Sequence, residues 1–203
     1  RQLSQLIGAL EDFGDPLNGL ASDALAAPFG WGVRRRLEFA RTIEARSIAG
    51  PDVSKAWREA ADAIRSSARY GGLALEPQLG LVPLGPDPRS GLWEFVHLAS
   101  GEAPRRGADG VLELSEATGL VLVLIPGGEF WMGAQAKDPS ARNYDPRAER
   151  GEGPVHLVEL SPYLISKYEM TQAQWQRLAG VNPSYYKPSV GFGTTLEHPV
   201  EGV

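Results

Sequence analysis

Hydrophobic positions in the first seventy residues recur at helical spacing. The first apolar stripe consists of Leu3, Leu6, Ile7, Leu10 and Phe13. A break with glycine and proline follows over residues 14–32, and a second, weaker stripe covers 33–43. The apolar positions between Val53 and Ile64 predict a third helix, with Asp52 as its N-cap after Pro51. The pattern therefore predicts a helical region over residues 1–70.

After Tyr70 the hydrophobic pattern changes to short runs separated by glycine and proline clusters. Strands are predicted at 73–75, 79–84, 92–98 and 111–114. The run 92–98 is apolar at nearly every position, which is typical of a strand covered on both faces. Residues 101–110 are predicted to form a polar loop. We interpret residues 71–118 as a β-rich connector.

Residues 119–203 are predicted to contain four complete strands and one helix, before the incomplete strand expected at the end of the chain. The strands are expected at 120–125, 129–133, 155–160 and 163–168. Residues 126–128 are expected to turn the first strand into a hairpin with the second, using the freedom of glycine at positive φ. A loop of about twenty residues, 134–153, separates the second strand from the third, and loops of that length are usually functional or mobile.

The helix in this last part carries clear start and stop signals. Thr171 and Gln174 have the spacing of a capping box, in which each side chain binds the other's backbone N–H. Gly180 is expected to end the helix after Ala179. With helices first and strands afterwards, the predicted fold class is α+β.

Composition and charge narrow the classes of function. Hydrophobic residues make up 42% and charged residues 22%, the balance of a soluble globular protein, and we expect a cytoplasmic one. A net charge of −5 argues against a general nucleic-acid binder. The arginines of 34–36 share their helix with Glu38 and Glu44, which favours a solvated helix face. No apolar run reaches the ~20 residues that cross a bilayer.

Side chains suited to catalysis are sparse. The sequence has no cysteine, which removes disulfides, thiolate metal sites and cysteine nucleophiles from these residues. His97, His156 and His198 lack the close spacing of a metal pair, and we expect them to be packing or hydrogen-bonding residues. There is no Gly-x-Ser-x-Gly elbow, and Gly127-Gly128 lacks the Gly-Lys-Ser/Thr of a phosphate loop. We expect no catalytic or cofactor-binding residue here.

Oxygen-bearing side chains cluster in the long loop. They are Asp138, Asn143, Asp145, Glu149 and Glu152. Such ligands suit calcium, but their spacing lacks a recognisable calcium-loop order. Two interpretations stay open: a calcium site, and a surface loop that faces a partner or substrate groove, which we favour.

Five landmarks, in order and with plausible gaps, resemble the formylglycine-generating enzyme, or sulfatase-modifying factor, superfamily. Their residues are Gly127, Gly128, Phe130, Met132 and Gly133; Pro154 and His156; Tyr168, Glu169, Thr171 and Trp175; Asn182 and Pro183; His198 and Pro199. The resemblance covers residues 119–203 and implies that these are structural motif positions. It also implies an irregular fold related to C-type lectins, often with bound calcium, of which this chain holds the N-terminal part only.

The resemblance also implies a chemistry. Enzymes of this family oxidise a cysteine of a protein or peptide substrate to formylglycine, using oxygen and copper held by two cysteines late in the domain. Because those cysteines are absent here, we expect this chain alone to be inactive. An iron-dependent branch uses histidines of an N-terminal helical domain, and residues 1–70 contain none. The alternative is a non-catalytic module of the same fold that binds a peptide or ligand.

The stretch from Leu84 to Phe95 resembles the connector of large bacterial proteins that place a serine/threonine kinase before this domain. No kinase motif occurs in the chain itself, so the resemblance would place a kinase upstream of Arg1. The sequence starts at Arg1 without a methionine or signal peptide and stops at Val203 within an expected strand. Both ends are therefore expected to be cuts. A third interpretation makes residues 1–118 a spacer between kinase and sensor.

Overall fold

A computed structural model describes residues 2–15, 33–191 and 193–203. In chain order its elements are α1 (Gln2–Gly14), α2 (Val33–Glu44), α3 (Pro51–Ser66), β1 (Leu81–Pro86), β2 (Trp93–His97), β3 (Arg105–Arg106), β4 (Leu112–Glu113), β5 (Leu120–Ile125), β6 (Gly128–Met132), β7 (His156–Leu160), β8 (Tyr163–Ser166) and α4 (Gln172–Ala179). A π-helical turn, Ala45–Ala49, joins α2 to α3. The predicted mixture of helices and sheet is confirmed.

The main sheet is four-stranded and antiparallel, with the order β1-β2-β5-β8. Its first two strands come from the predicted connector, and its last two from the region that carries the family landmarks. Phe95 of β2 pairs with Leu122 of β5, and Leu122 pairs in turn with Ser166 of β8. The sheet thus crosses the boundary predicted between residues 118 and 119, although the domain boundary itself stays a prediction.

Helix α3 covers one face of this sheet. Its buried side chains Trp57 and Ile64 pack in one cluster with Phe95 of β2 and Leu124 of β5. The rings of Trp57 and Phe95 lie 5.5 Å apart between centroids, in a tilted arrangement. Burying a large apolar side chain stabilises a fold by about 1.5–3 kcal/mol. The helical region and both pairs of strands therefore share one hydrophobic core.

The start of α3 differs from the predicted one. Gly50 is the N-cap, with an extended backbone, and Pro51 occupies the first helical position, where its missing N–H costs nothing. Asp52 lies in the first turn, where a carboxylate favours the helix dipole, so its predicted capping role is wrong. A Cβ on Gly50 would lie 2.5 Å from the carbonyl oxygen of Ala45, so the tight entry into α3 requires glycine.

The opposite face of the sheet is covered near β1 and β2 by α2 and the π-helical turn. Ile43 of α2 packs on Val96, which neighbours Phe95 along β2 and so points to the other side. Ser47 is buried in the turn, where its Oγ accepts a hydrogen bond from the N–H of Gly80 at 3.0 Å. Its carbonyl accepts one from Nε1 of Trp57 at 2.7 Å. These bonds fix the turn between α2 and α3 against the edge of the sheet.

The strand pairs β5–β8 and β6–β7 are two halves of one antiparallel ribbon. Ile125 pairs with Tyr163, and Gly128 pairs with Leu160, so the same register continues across a two-residue interruption in each strand. The predicted hairpin between β5 and β6 is therefore wrong. Strand β6 continues in the direction of β5 and pairs with β7 instead.

The interruption in the ribbon has a steric cause. Pro126 and Pro162 have no backbone N–H to give to the ladder. Gly127 is not at positive φ, contrary to the predicted turn. A Cβ on Gly127 would lie 2.8 Å from the carbonyl oxygen of Leu160 and 2.9 Å from Cδ of Pro162. Glycine is needed here because two strands approach closely, and the chain does not reverse.

Other predicted elements are confirmed with shifted ends, with three exceptions. Residues 73–75 form no strand, although Leu73 and Leu75 pack against the core. The predicted loop 101–110 contains β3, which pairs with β4.

Residues 16–32, most of the predicted break, lie outside the described residues, as do the side chains of Phe13, Arg34 and Arg35. In the described ranges, no helix is long and apolar enough to cross a membrane.

Tyr70 provides a direct test of the shared core. Its buried hydroxyl donates to the carbonyl of Leu124 and accepts from the N–H of Trp93, each at 3.1 Å. Tyr70→Phe leaves both backbone groups without this partner, so the free energy of unfolding should fall by about 1–3 kcal/mol in urea titrations. Tyr144→Phe, at an exposed tyrosine, is the control and should change stability by less than about 0.5 kcal/mol. Equal stability of the two variants would contradict the assignment.

Candidate functional site

A fully buried carboxylate joins three parts of the chain. Glu94 of β2 is 0% exposed, and its Oε2 accepts a hydrogen bond from the guanidinium of Arg106 at 2.6 Å. Its Oε1 accepts a short hydrogen bond from the ammonium of Lys167. Arg106 lies on β3, and Lys167 directly follows β8. The charge cluster therefore links the connector strands to the landmark region.

Two further contacts complete this charge cluster. The Lys167 ammonium also lies 3.6 Å from the carboxylate of Asp87. Desolvation acts to lower the pKa of Lys167, but the hydrogen bond and attraction of Glu94 outweigh it and hold the pKa above its ordinary value. A hydrogen bond from the hydroxyl of Ser90 lowers the pKa of Asp87. With each Glu94 oxygen bound to a cation, the cluster is suited to holding the junction together and not to moving a proton.

The start of α4 is closed by backbone and side-chain contacts. Oγ1 of Thr171 accepts from the N–H of Gln174, and Oε1 of Gln174 accepts from the N–H of Thr171, which confirms the predicted capping box. The N–H of Gln172 donates to the carbonyl of His198 at 2.9 Å. Gly180 ends the helix in the left-handed conformation, as predicted. The N–H groups at this helix start are thus bound within the protein.

Gln172 is a buried polar side chain that the sequence analysis missed. Its Nε2 donates to the carbonyl of Tyr186 at 2.9 Å, and its Oε1 accepts from Nδ2 of Asn182 at 2.7 Å. Asn182 also accepts from the N–H of Ser184 at 3.1 Å. A glutamine in the first turn of a helix usually faces solvent, so only the tertiary fold identifies this one as a link between α4 and the landmark at Asn182.

The long loop 134–153 folds back onto the end of β6. Asn143 adopts φ 54°, and its Nδ2 donates to the carbonyls of Trp131 and Gly133, each at 2.8 Å. The guanidinium carbon of Arg142 lies 5.1 Å from the centroid of the Trp131 ring, a cation–π distance. The loop therefore covers part of one side of the ribbon.

The five candidate calcium ligands do not form a common set in this loop. Apart from Asn143, their side chains make local bonds: Asp138 with Ser140, Asp145 with the N–H of Arg147, and Glu149 with Glu152 in a capping box. Among the residues that the structure describes, no three His, Cys, Asp or Glu side chains are grouped as metal ligands would be. Calcium binding by this loop stays a prediction.

The three histidines each make local contacts. Nδ1 of His97 lies 3.2 Å from the hydroxyl of Ser100, and desolvation lowers the pKa of His97. His156 and His198 are exposed, with Nδ1 2.8 Å from the Pro154 carbonyl and 3.0 Å from the Thr195 nitrogen respectively. Each of the three contacts is with a residue two or three positions away in the chain.

A cavity of about 270 Å³ lies beside β3 and β4. Its lining includes Glu102, Arg105, Glu113 and Thr118. The lining residues carry both signs of charge, and they include no nucleophile with an adjacent base. We therefore assign no reaction to this cavity.

The landmark residues lie in the ribbon and around α4. Gly133 ends β6 at φ 94°, where an added Cβ would lie 2.8 Å from the carbonyl oxygen of Glu152. His198 and Pro199 run beside Thr171, which forms an isolated bridge with Pro199. Gly133, Thr171 and Pro199 thus lie where backbone segments meet, while Phe130 and Met132 are exposed.

Comparison with known proteins finds a family model that matches the C-terminal part of the chain. Residues 111–203 match the family model described as sulfatase-modifying factor enzyme 1-like domain. This region resembles the sulfatase-modifying factor family. Over 54 residues the chain is 46% identical to a formylglycine-generating enzyme of Thermomonospora curvata, a segment that is 27% of this chain and 16% of that relative. The chain therefore matches only a small part of the relative's length. No solved structure matches the chain.

The sulfatase-modifying factor match begins before the predicted boundary. It starts at Val111, whereas the landmarks alone predicted Gly119. The additional residues include β4 and the turn 115–118, whose Thr118 carbonyl accepts from Nε2 of Gln174 at 3.1 Å. The extra segment is thus bound to α4 of the same region.

Glu94→Gln tests the charge cluster. The substitution removes the negative charge that Arg106 and Lys167 share in a buried position, so the free energy of unfolding should fall by about 3–5 kcal/mol in denaturant titrations. Glu59→Gln is the matched control, because Glu59 pairs with Lys55 at 3.8 Å on the surface. That change should cost at most about 0.5 kcal/mol. A Glu94→Gln protein as stable as the control would show that the cluster does not hold the junction.

Proposed function

We propose that this chain supplies the N-terminal portion of a formylglycine-generating-enzyme-type domain. The whole protein would oxidise a cysteine of a protein or peptide substrate with oxygen. The main support is the family match over residues 111–203, together with 46% identity to a formylglycine-generating enzyme in part of it. The arrangement around α4, in which Thr171, Gln172 and Asn182 hold separate segments together, supports a scaffold role for these landmarks.

In this proposal the reactive groups lie elsewhere in the protein. The family's copper is held by two cysteines, and this chain has none, so its residues do not fit copper and no step is assigned to the metal here. The described residues instead build the sheet, the charge cluster and the α4 region on which the remainder of the domain would be placed. A cytoplasmic location, bound calcium and a lectin-related fold remain part of the proposal.

The proposed reaction is a balanced oxidation of the substrate cysteine. The bond between Cβ and sulfur breaks, the sulfur leaves as hydrogen sulfide, and Cβ becomes the carbonyl carbon of an aldehyde. This change removes two electrons from the substrate. Because reduction of oxygen to water takes four electrons, a thiol reductant supplies the other two.

A non-catalytic binding module beside a signalling kinase is the second candidate function. Tyr185 and Tyr186 support it, since their exposed rings meet edge to face at 5.0 Å and offer a contact surface. The resemblance of residues 84–95 to a kinase connector supports it as well. Two cysteines about five residues apart in the rest of the protein would favour the oxidase, and a domain completed without them would favour the binder.

Mass spectrometry of a Cys-x-Pro-x-Arg peptide tests the enzymatic proposal. The complete, copper-loaded protein should convert the cysteine to an aldehyde only when both oxygen and a thiol reductant are present. The 203-residue chain, tested in parallel, should give no product because it has no cysteine. Peptide binding by the complete protein without conversion would support the binding module. Conversion by the 203-residue chain would overturn the scaffold role.

A further inference from the structure

Helix α1 carries an apolar stripe that is open to solvent. In the described part of the chain, accessible fractions range from 48% to 69% for its four members, Leu3, Leu6, Ile7 and Leu10. Residues three and four positions apart lie on the same side of a helix, so these side chains form one surface. We call them the α1 stripe. Helix α3, by contrast, buries its apolar side chains in the core.

A helix as short as α1 needs a cover for its apolar side. Isolated helices below ~12–15 residues are marginal in water, and α1 has 13 residues. Gly8 in its middle lowers the helix propensity further. Because helices in proteins gain most of their stability by packing an apolar face, we expect the α1 stripe to be covered when the helix forms.

The spacing of the α1 stripe is symmetric. The intervals between its four residues are three, one and three positions, so the stripe reads the same from either end. An antiparallel copy of α1 would therefore place Leu3 opposite Leu10, and Leu6 opposite Ile7. A dimer with two-fold symmetry requires such a self-complementary patch, in which residue i meets residue j and j meets i. The α1 stripe thus fits a second copy of itself.

The charges of α1 favour the antiparallel arrangement. Glu11 and Asp12 lie near its C-terminal end, and residues 2–10 carry no charge. A parallel pair would bring four carboxylates together at one end. An antiparallel pair separates them and sets the two carboxylates of each copy beside the uncharged half of the other.

The same charges argue against a membrane as the cover. Helices that lie on a membrane surface are rich in lysine and arginine on their polar side, which attracts anionic lipids. Residues 2–14 contain neither lysine nor arginine, and the polar side of α1 carries Glu11 and Asp12. A second copy of the helix is the better match.

We propose that the α1 stripe is a homodimer interface, in which α1 of one copy packs antiparallel against α1 of a second copy of this chain. Four apolar residues per copy make an interface smaller than the ~1,200 Å² of stable complexes, so we expect a dissociation constant in the micromolar range. The inference does not rest on the proposed function, because α1 lies outside the residues that match the family model.

Sedimentation velocity of the 203-residue chain over about 1–200 µM tests the dimer, whose fraction should rise with concentration. Leu10→Ser should raise the dissociation constant at least about tenfold, because each dimer loses two buried leucines. Leu79→Ser, which precedes β1, is the matched control, since Leu79 is 62% and Leu10 61% exposed. Gln5→Ser controls for helix propensity on the opposite side of α1. Both controls should leave the dissociation constant unchanged.

Disulfide formation tests the orientation of the two helices, because the chain has no cysteine of its own. An equimolar mixture of Leu3→Cys and Leu10→Cys chains, one of them tagged, should form the mixed disulfide dimer on mild oxidation. Neither variant alone should do so readily. Positions 3 and 10 are about 10 Å apart along a helix axis, beyond the ~7 Å between Cα atoms that a disulfide spans.

Three results would overturn the proposal. One is a 203-residue chain that stays monomeric over the whole range; if that monomer bound phosphatidylcholine vesicles and Leu10→Ser abolished the binding, the α1 stripe would serve a membrane instead. Another is a dimer that Leu10→Ser weakens no more than Leu79→Ser does. The third is a same-site disulfide formed readily by Leu3→Cys alone, which would require parallel helices.

Discussion

The fold depends on the burial of one helix against one sheet. Helix α3 places Trp57 and Ile64 on Phe95 and Leu124, and these last two residues belong to neighbouring strands on either side of the predicted domain boundary. Neither partner could keep these side chains from water alone, because an amphipathic helix and a sheet face each need an apolar surface opposite. Tyr70 adds a polar link at the same place by bonding to both strands. Helix α3 and the connector strands β1 and β2 therefore share one core with the landmark region.

The charge cluster at Glu94 adds specificity to this hydrophobic contact. A buried carboxylate is costly unless cations compensate it, and Glu94 receives Arg106 from β3 and Lys167 from the end of β8. In this placement of the segments, both cations reach the carboxylate. The hydrophobic core holds α3 on the sheet. The charge cluster fixes β3 and the end of β8 relative to β2.

Local patterns in the sequence predicted much of this fold. The strand at 120–125 and the capping box at Thr171 were identified because their signals, an apolar run and a pair of polar side chains, act within a few residues. The hairpin predicted at Gly127 failed because a Pro-Gly-Gly sequence suggests a reversal, whereas the pairing of β6 with β7 is decided by residues about thirty positions away. The buried polar contacts of Gln172 and Glu94 were not predicted for the same reason, because their partners are distant in the chain.

Unfolding of two shortened chains, residues 33–203 and residues 111–203, tests the shared core most directly. The longer chain keeps α3, β1 and β2, and we expect it to unfold in urea in a single cooperative transition with defined near-ultraviolet circular dichroism. The shorter chain matches the family model but lacks β2, one of the two strands that pair with β5, and the buried residues of α3 and β2 that pack with Leu124, so we expect no cooperative transition. A cooperative transition of residues 111–203 at the same urea midpoint would show that this region folds without the connector and would contradict the account.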